Sequence, residues 1–112
     1  MKIREIIKSL DLRVISGNDS LEREVTGGYT SDLLSDVIGN AKEGNIWITL
    51  QTHQNIVAVA SLKELSAIII VKGLKVDEAT AAKSIVENIV LLSSDDDTFT
   101  TSGRLFELLK KK

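Results

Sequence analysis

The run Ala67-Ile68-Ile69-Ile70-Val71 constrains this chain more than any other feature. These five apolar residues in a row offer no polar side to turn toward water. β-Branched residues favour strands, so the run predicts a strand covered on both faces. Such a strand needs helices above and below its sheet, and the neighbouring sequence predicts them. Ile46-Trp47-Ile48-Thr49-Leu50 reads as a second strand and Ile89–Leu92 as a third. Leu33, Leu34, Val37, Ile38 and Ala41 fall at helical spacing, with Ser31 or Asp32 placed to cap them. Ile56–Leu65 is apolar on most faces and predicts a buried helix. Asp77 is expected to cap a helix from Glu78 to about Asn88, apolar at Ala79, Ala82, Ile85 and Val86. A last helix, from about Thr98 to Lys110, places Phe99, Ser102, Leu105, Phe106 and Leu109 on its predicted inner face.

Alternation of strand and helix predicts βαβ units with right-handed crossovers. The expected fold class is α/β: a three-layer α/β/α arrangement with a mostly parallel central sheet. At the N-terminal end, Ile3, Ile6, Ile7 and Leu10 predict an amphipathic helix over Lys2–Leu10. Arg13–Ser16 and Glu22–Val25 read as two short strands in a hairpin-like pair, joined by a turn at Gly17-Asn18-Asp19-Ser20. Gly27-Gly28-Tyr29-Thr30-Ser31 then reads as a loop opening the next helix.

The size and composition narrow the functional classes. With 112 residues, the chain is expected to form one domain over 1–112 with a real core. The formal charge is −2, so no basic excess favours a phosphate backbone, and nucleic acid is not an expected partner. Aromatic residues are 4% of the chain, too few for a base-stacking platform. There are no cysteines, which excludes disulfides, thiolate nucleophiles and cysteine-ligated metals. The longest apolar runs, Ile56–Ala60 and Ala67–Val71, fall far short of the ~20 residues that span a bilayer. A cytoplasmic location without membrane association is expected. Lys110-Lys111-Lys112 reads as cations placed at a helix C-terminus.

Candidate ligand contacts gather at predicted strand ends. Ligands of open parallel sheets bind outside the carboxyl ends of the strands. Thr49, Gln51, Thr52, His53 and Asn55 follow one strand, Lys72 and Gly73 the next, and Ser94 the third. Gly27, Gly28 and Ser31 precede a predicted helix N-terminus, where backbone N–H groups attract anions. No Gly-Lys-Ser/Thr follows, so this is not a P-loop. Plainer readings stand beside these: a turn with an N-cap for the glycines, and solvated loops for the strand ends. His53 is the sole histidine and has no nucleophile motif around it, so no catalytic residue is assigned. Asp95-Asp96-Asp97 lacks the spacing of a calcium loop and reads as favourable charge before a helix; no metal site and no cofactor are expected. Trp47 reads as core, and Tyr29 as an exposed aromatic anchor.

Several ordered blocks resemble stand-alone DRTGG-domain proteins. They are Gly27–Val37, Asn45–Gln51, Asn55–Ala60, Ala67–Ile70, Asp97-Thr98-Phe99 and Gly103–Leu109. No Asp-Arg-Thr-Gly-Gly string is present; Thr52-His53-Gln54-Asn55 and Lys72-Gly73 stand where many members carry parts of it. The resemblance implies a fold similar to the N-terminal domain of HPr kinase/phosphorylase and, distantly, of Mur ligases. It also implies a non-catalytic regulatory or interaction module, a homodimer that acts on a separate partner enzyme. The alternative, which the polar strand ends suggest, is a sensor that binds a nucleotide or other phosphorylated metabolite there.

Overall fold

A computed structural model describes residues 1–111; Lys112, the last residue of the lysine tail, lies outside the described residues. The elements are α1 (Ile3–Leu10), β1 (Arg13–Ser16), β2 (Gly27–Thr30), α2 (Leu34–Asn40), β3 (Asn45–Thr49), α3 (Asn55–Leu62), β4 (Ala67–Ile70), α4 (Glu78–Val86), β5 (Val90–Ser93) and α5 (Thr98–Lys110). They form one five-stranded sheet in the order β1-β5-β4-β3-β2. Strands β2 to β5 run parallel, and β1 joins β5 antiparallel. The α/β class and the mostly parallel sheet stand as expected.

Sheet order explains which helix covers which face. From β2 to β5 each crossover steps one strand in the same direction, so crossovers of one hand put α2, α3 and α4 on one face. That face packs Trp47, Ile68, Ile70 and Leu91 against Val37, Ile56, Val57 and Ala60. The opposite face is left to α1 and α5, which meet Ile46, Ile48, Ile69 and Leu92 through Ile3, Ile6, Leu10 and Leu105. β4 is buried along its whole length, with Ile68, Ile69 and Ile70 all at 0% exposure.

Three expectations are corrected. Glu22–Val25 is not a strand paired with β1. Its backbone turns to the chain start instead: Val25 N–H donates to the Met1 carbonyl at 2.8 Å, and Ile3 N–H to the Arg23 carbonyl at 3.1 Å. The partner of β1 is β5, with Arg13 opposite Ser93. Gly27–Thr30 is not a loop but β2, in register with Asn45–Ile48.

The inner faces of α4 and α5 also differ from the pattern in the sequence. α4 buries Thr80 and Ser84 and leaves Ala79, Ala82, Ile85 and Val86 exposed. Hydrogen bonds explain this choice: Thr80 Oγ1 donates to the Thr52 carbonyl, and Ser84 Oγ pairs with Ser16 Oγ. On α5, Thr101 and Leu105 are buried, while Phe99 and Phe106 stand in solvent. Two helices cannot roof a face of five strands, and α5 leaves the flank of β2 partly open.

Burial on both faces makes β4 sensitive to truncation along its whole length. Ile69→Ala is expected to lower unfolding free energy by about 2–5 kcal/mol in urea titration, whereas Ile85→Ala on α4 stays within about 0.5 kcal/mol of wild type.

Candidate functional site

The carboxyl ends of β3, β4 and β5 lie level, since Thr49 pairs with Ile70 and Ile70 with Ser93. This rim brings together Ser31, Thr49, Gln51, Thr52, His53, Asn55, Lys72, Gly73 and Ser94. Gly27 and Gly28 are not among them. They pair with Asn45 and Ile46, near the amino end of the sheet, roughly 10 Å away along the strands at ~3.3 Å per residue. The glycines therefore form no anion loop at a helix N-terminus. Gly28 serves packing: a Cβ there would lie 3.0 Å from Leu105 Cδ2.

Rim side chains close on one another. Asp32 is the first hub, and its Oδ1 accepts from the Leu50 N–H at 2.8 Å and from Thr49 Oγ1 at 2.9 Å. Gln51 completes this group, with its N–H on Thr49 Oγ1 and its amide on the Asp32 carbonyl. Reading Asp32 as a helix cap concealed this role, since Leu33 stands at the N-cap of α2 and Asp32 turns to β3 instead. A second group joins β4 to β5. Lys72 at φ 64° and Gly73 at φ 62° turn left-handed, which aims the Lys72 N–H at the Asp96 carbonyl and the Gly73 N–H at the Ser94 carbonyl, both at 2.8 Å. Ser94 Oγ is bonded with Thr101 Oγ1 and accepts from the Asp96 N–H.

Between these groups, the Thr52 carbonyl accepts from the Asp77 N–H and the Thr80 hydroxyl. His53 Nδ1 lies 2.8 Å from Asp77 Oδ2 in an exposed pair, and exposed Asn55 opens α3. The three aspartates each have a partner or a cap to make. Asp95 meets Arg13, Asp96 meets Arg104, and Asp97 caps α5 by accepting from the Thr100 N–H at 2.8 Å. That N–H bond, then the Thr100 hydroxyl, hold the Asp97 carboxyl below its ordinary range, with help from the Lys72 charge.

Tyr29 is not the exposed anchor expected of it. Its ring is half-buried against the Trp47 side of the core, and its hydroxyl donates to Asp36 Oδ1 at 2.9 Å. That bond raises the phenol above its usual value. Asp36 is lowered, first by the Ser31 hydroxyl and then by Tyr29.

Cavities among the described residues lie away from the rim. One of about 720 Å³ opens at the amino ends of the strands, among Thr26, Gly44, Glu64, Ser66 and Glu87. Another, about 370 Å³, runs between β2 and α5, lined by Gly28, Thr30, Ile48, Ser102, Gly103 and Leu109 and flanked by Phe99 and Phe106. Sequence periodicity hid this groove by placing both phenylalanines inside.

A family model described as the DRTGG domain matches residues 5–108. The chain belongs to the DRTGG domain family. No curated protein sequence matches it. Among solved structures, this DRTGG domain is similar to the CBS and DRTGG domains of the regulatory region of Clostridium perfringens pyrophosphatase, complexed with its activator diadenosine tetraphosphate. The TM-score is 0.72 at 17% identity, over 93% of this chain and 45% of that one. The chain thus spans less than half the length of that regulatory region. Among the described residues, no helix is long and apolar enough to cross a membrane.

Asp97 gives the rim a pH signature. Its folded value lies below its unfolded one, so its stabilisation is present above the ordinary carboxylate range and is lost as pH falls through the lower folded value. Asp97→Asn, which keeps an acceptor at the N-cap, is expected to flatten the acid limb of thermal stability measured from pH 6 to about 2, and Asp97→Ala to lower the midpoint at neutral pH as well.

Proposed function

We propose that this DRTGG domain, working as one unit over residues 1–112, is a non-catalytic regulatory module of the cytoplasm. It acts as a homodimer on an enzyme carried by another polypeptide. The groove between β2 and α5 carries this reading. Phe99 is 88% exposed and Phe106 65%, beside an apolar cavity. Aromatic residues gathered this way on a surface mark a protein contact. Further support comes from the similar DRTGG domain, which is part of the regulatory region of a pyrophosphatase. Light scattering during gel filtration is expected to give twice the chain mass of 12.2 kDa; a single chain mass at high micromolar concentration would overturn the homodimer.

A second reading is a sensor that binds a nucleotide or other phosphorylated metabolite at the rim. It is supported by the level placement of Ser31, Thr49, Gln51, Thr52, His53, Asn55, Lys72, Gly73 and Ser94, and by the diadenosine tetraphosphate complex of the neighbour. A ligand there exchanges the internal bonds of Lys72, Gly73 and Leu50 N–H groups for its own acceptors. Millimolar ATP or diadenosine tetraphosphate is then expected to raise the melting temperature saturably, since a ligand at 100-fold its Kd adds about 2.7 kcal/mol. Lys72→Ala and His53→Ala are expected to shrink that rise. An unchanged melting temperature with both nucleotides removes this reading.

A further inference from the structure

The two edges of the sheet are finished differently. β1 carries Arg13, held by Asp95, and a register shift between Val14 and Ser16; a charge and a bulge both discourage another strand from pairing. β2 has neither. Gly27-Gly28-Tyr29-Thr30 is uncharged and pairs with β3 in unbroken register, and Gly28 and Thr30 are exposed. Alternate residues of a parallel strand turn both backbone groups to the same neighbour. The Ser31 N–H donates to the Ile48 carbonyl, so parity places the groups of Gly27 and Tyr29 toward β3 and those of Gly28 and Thr30 outward.

α5 repeats this arrangement. Phe99 and Phe106 lie two turns apart on one stripe, with Ser102 and Gly103 midway. Glycine is the poorest interior helix residue after proline, and a Cβ at Gly103 would meet nothing within 4 Å. Nothing within the single chain requires glycine there. The middle of the stripe also lies beside the middle of the strand, since Ser102 Oγ is 2.8 Å from Thr30 Oγ1 and Leu105 rests on Gly28.

We infer that a second copy of this chain adds to the β2 edge about a two-fold axis passing beside Tyr29 and Gly103. This inference rests on the homodimer proposed above and names its interface. With Tyr29 opposite its counterpart, Gly28 and Thr30 of one copy exchange N–H···O bonds with Thr30 and Gly28 of the other. The two α5 helices then run antiparallel on one face. Phe99 of each meets Phe106 of the other, and Gly103 lets the helix backbones approach at the axis. A two-fold interface requires one patch to be complementary to itself. Here strand and helix stripes centre on the same point, a coincidence that an extended peptide from another protein would leave without purpose. At about 200 Å² per side chain, covering Phe99 and Phe106 removes ~300 Å² per copy from water, a large part of the ~800 Å² per partner in a stable interface.

The chain has no cysteine, so single-cysteine variants report proximity cleanly. Facing residues at a non-hydrogen-bonded antiparallel position lie about 4.5 Å apart at Cα, within disulfide range. Mild oxidation of Tyr29→Cys is expected to give a covalent dimer, and Ile85→Cys on α4 is not. Gly103→Lys fits the open space of the single chain, so it is expected to keep the wild-type circular dichroism yet run at half the wild-type mass. A dimeric wild type whose Gly103→Lys variant stays dimeric, and whose Tyr29→Cys variant does not cross-link, overturns this interface and leaves the homodimer standing. A monomeric wild type overturns both, and the wild-type mass alone separates the two failures.

Discussion

Keeping both faces of β4 dry is the constraint on which the rest of the structure depends. No side of Ala67–Ile70 tolerates water, so a layer of helices must lie above and below it. Its neighbours inherit the condition, and β3 and β5 are buried along their full length as well. The regular step from β2 to β5 then commits three crossover helices to one face. Only α1 and α5 remain for the other. The groove along β2 is the arithmetic remainder of that division.

The same constraint shapes the rim. Where parallel strands end, their loops must satisfy backbone groups that the ladder no longer serves. This chain satisfies many of them internally. Asp32 answers for the end of β3, and the left-handed Lys72-Gly73 turn is tied to the loop after β5. A surface that looks like a row of unspent donors in the sequence is a closed hydrogen-bonded seam in three dimensions. The rim ties its loops to one another, whereas the flank of β2 leaves backbone and aromatic groups facing water.

Sequence patterns disclosed what burial dictates and concealed what hydrogen bonding dictates. The apolar runs marked β3, β4 and β5 because nothing but a buried strand suits them. β2 escaped notice because two of its four residues are glycine, poor strand formers whose place is fixed by the ladder to β3 and the close approach of Leu105. Glu22–Val25 read as a strand, and Val25 is indeed buried, yet its backbone partners are Met1 and Ile3, which no local rule connects to it. In α4 the buried stripe is Thr80 and Ser84, since Thr80 Oγ1 donates to the Thr52 carbonyl and Ser84 Oγ, which donates to the Ala81 carbonyl of its own helix, pairs with Ser16 Oγ of β1. Hydrophobic periodicity assumes that the inner face is the apolar one, and it misled for both α4 and α5. The candidate rim residues were legible as neighbours, because strand ends in a parallel sheet must be level. Their mutual bonds, and the displacement of Gly27 and Gly28 to the other end, required the register.

The pairing of Arg13 with Ser93 has a bearing on how the chain is made. Strands β2 to β5 are linked by local connections, with β3, β4 and β5 each joined through one helix to the strand before it. β1 is synthesised first but has no neighbour until the other end of the sheet has left the ribosome. Closing so long a loop is slow compared with local pairing. The edge of β1 therefore has no ladder partner until β5 has been made. A nascent chain cut short before its last strand would leave β1 without its ladder partner, and that unpaired strand would identify the fragment as unfinished.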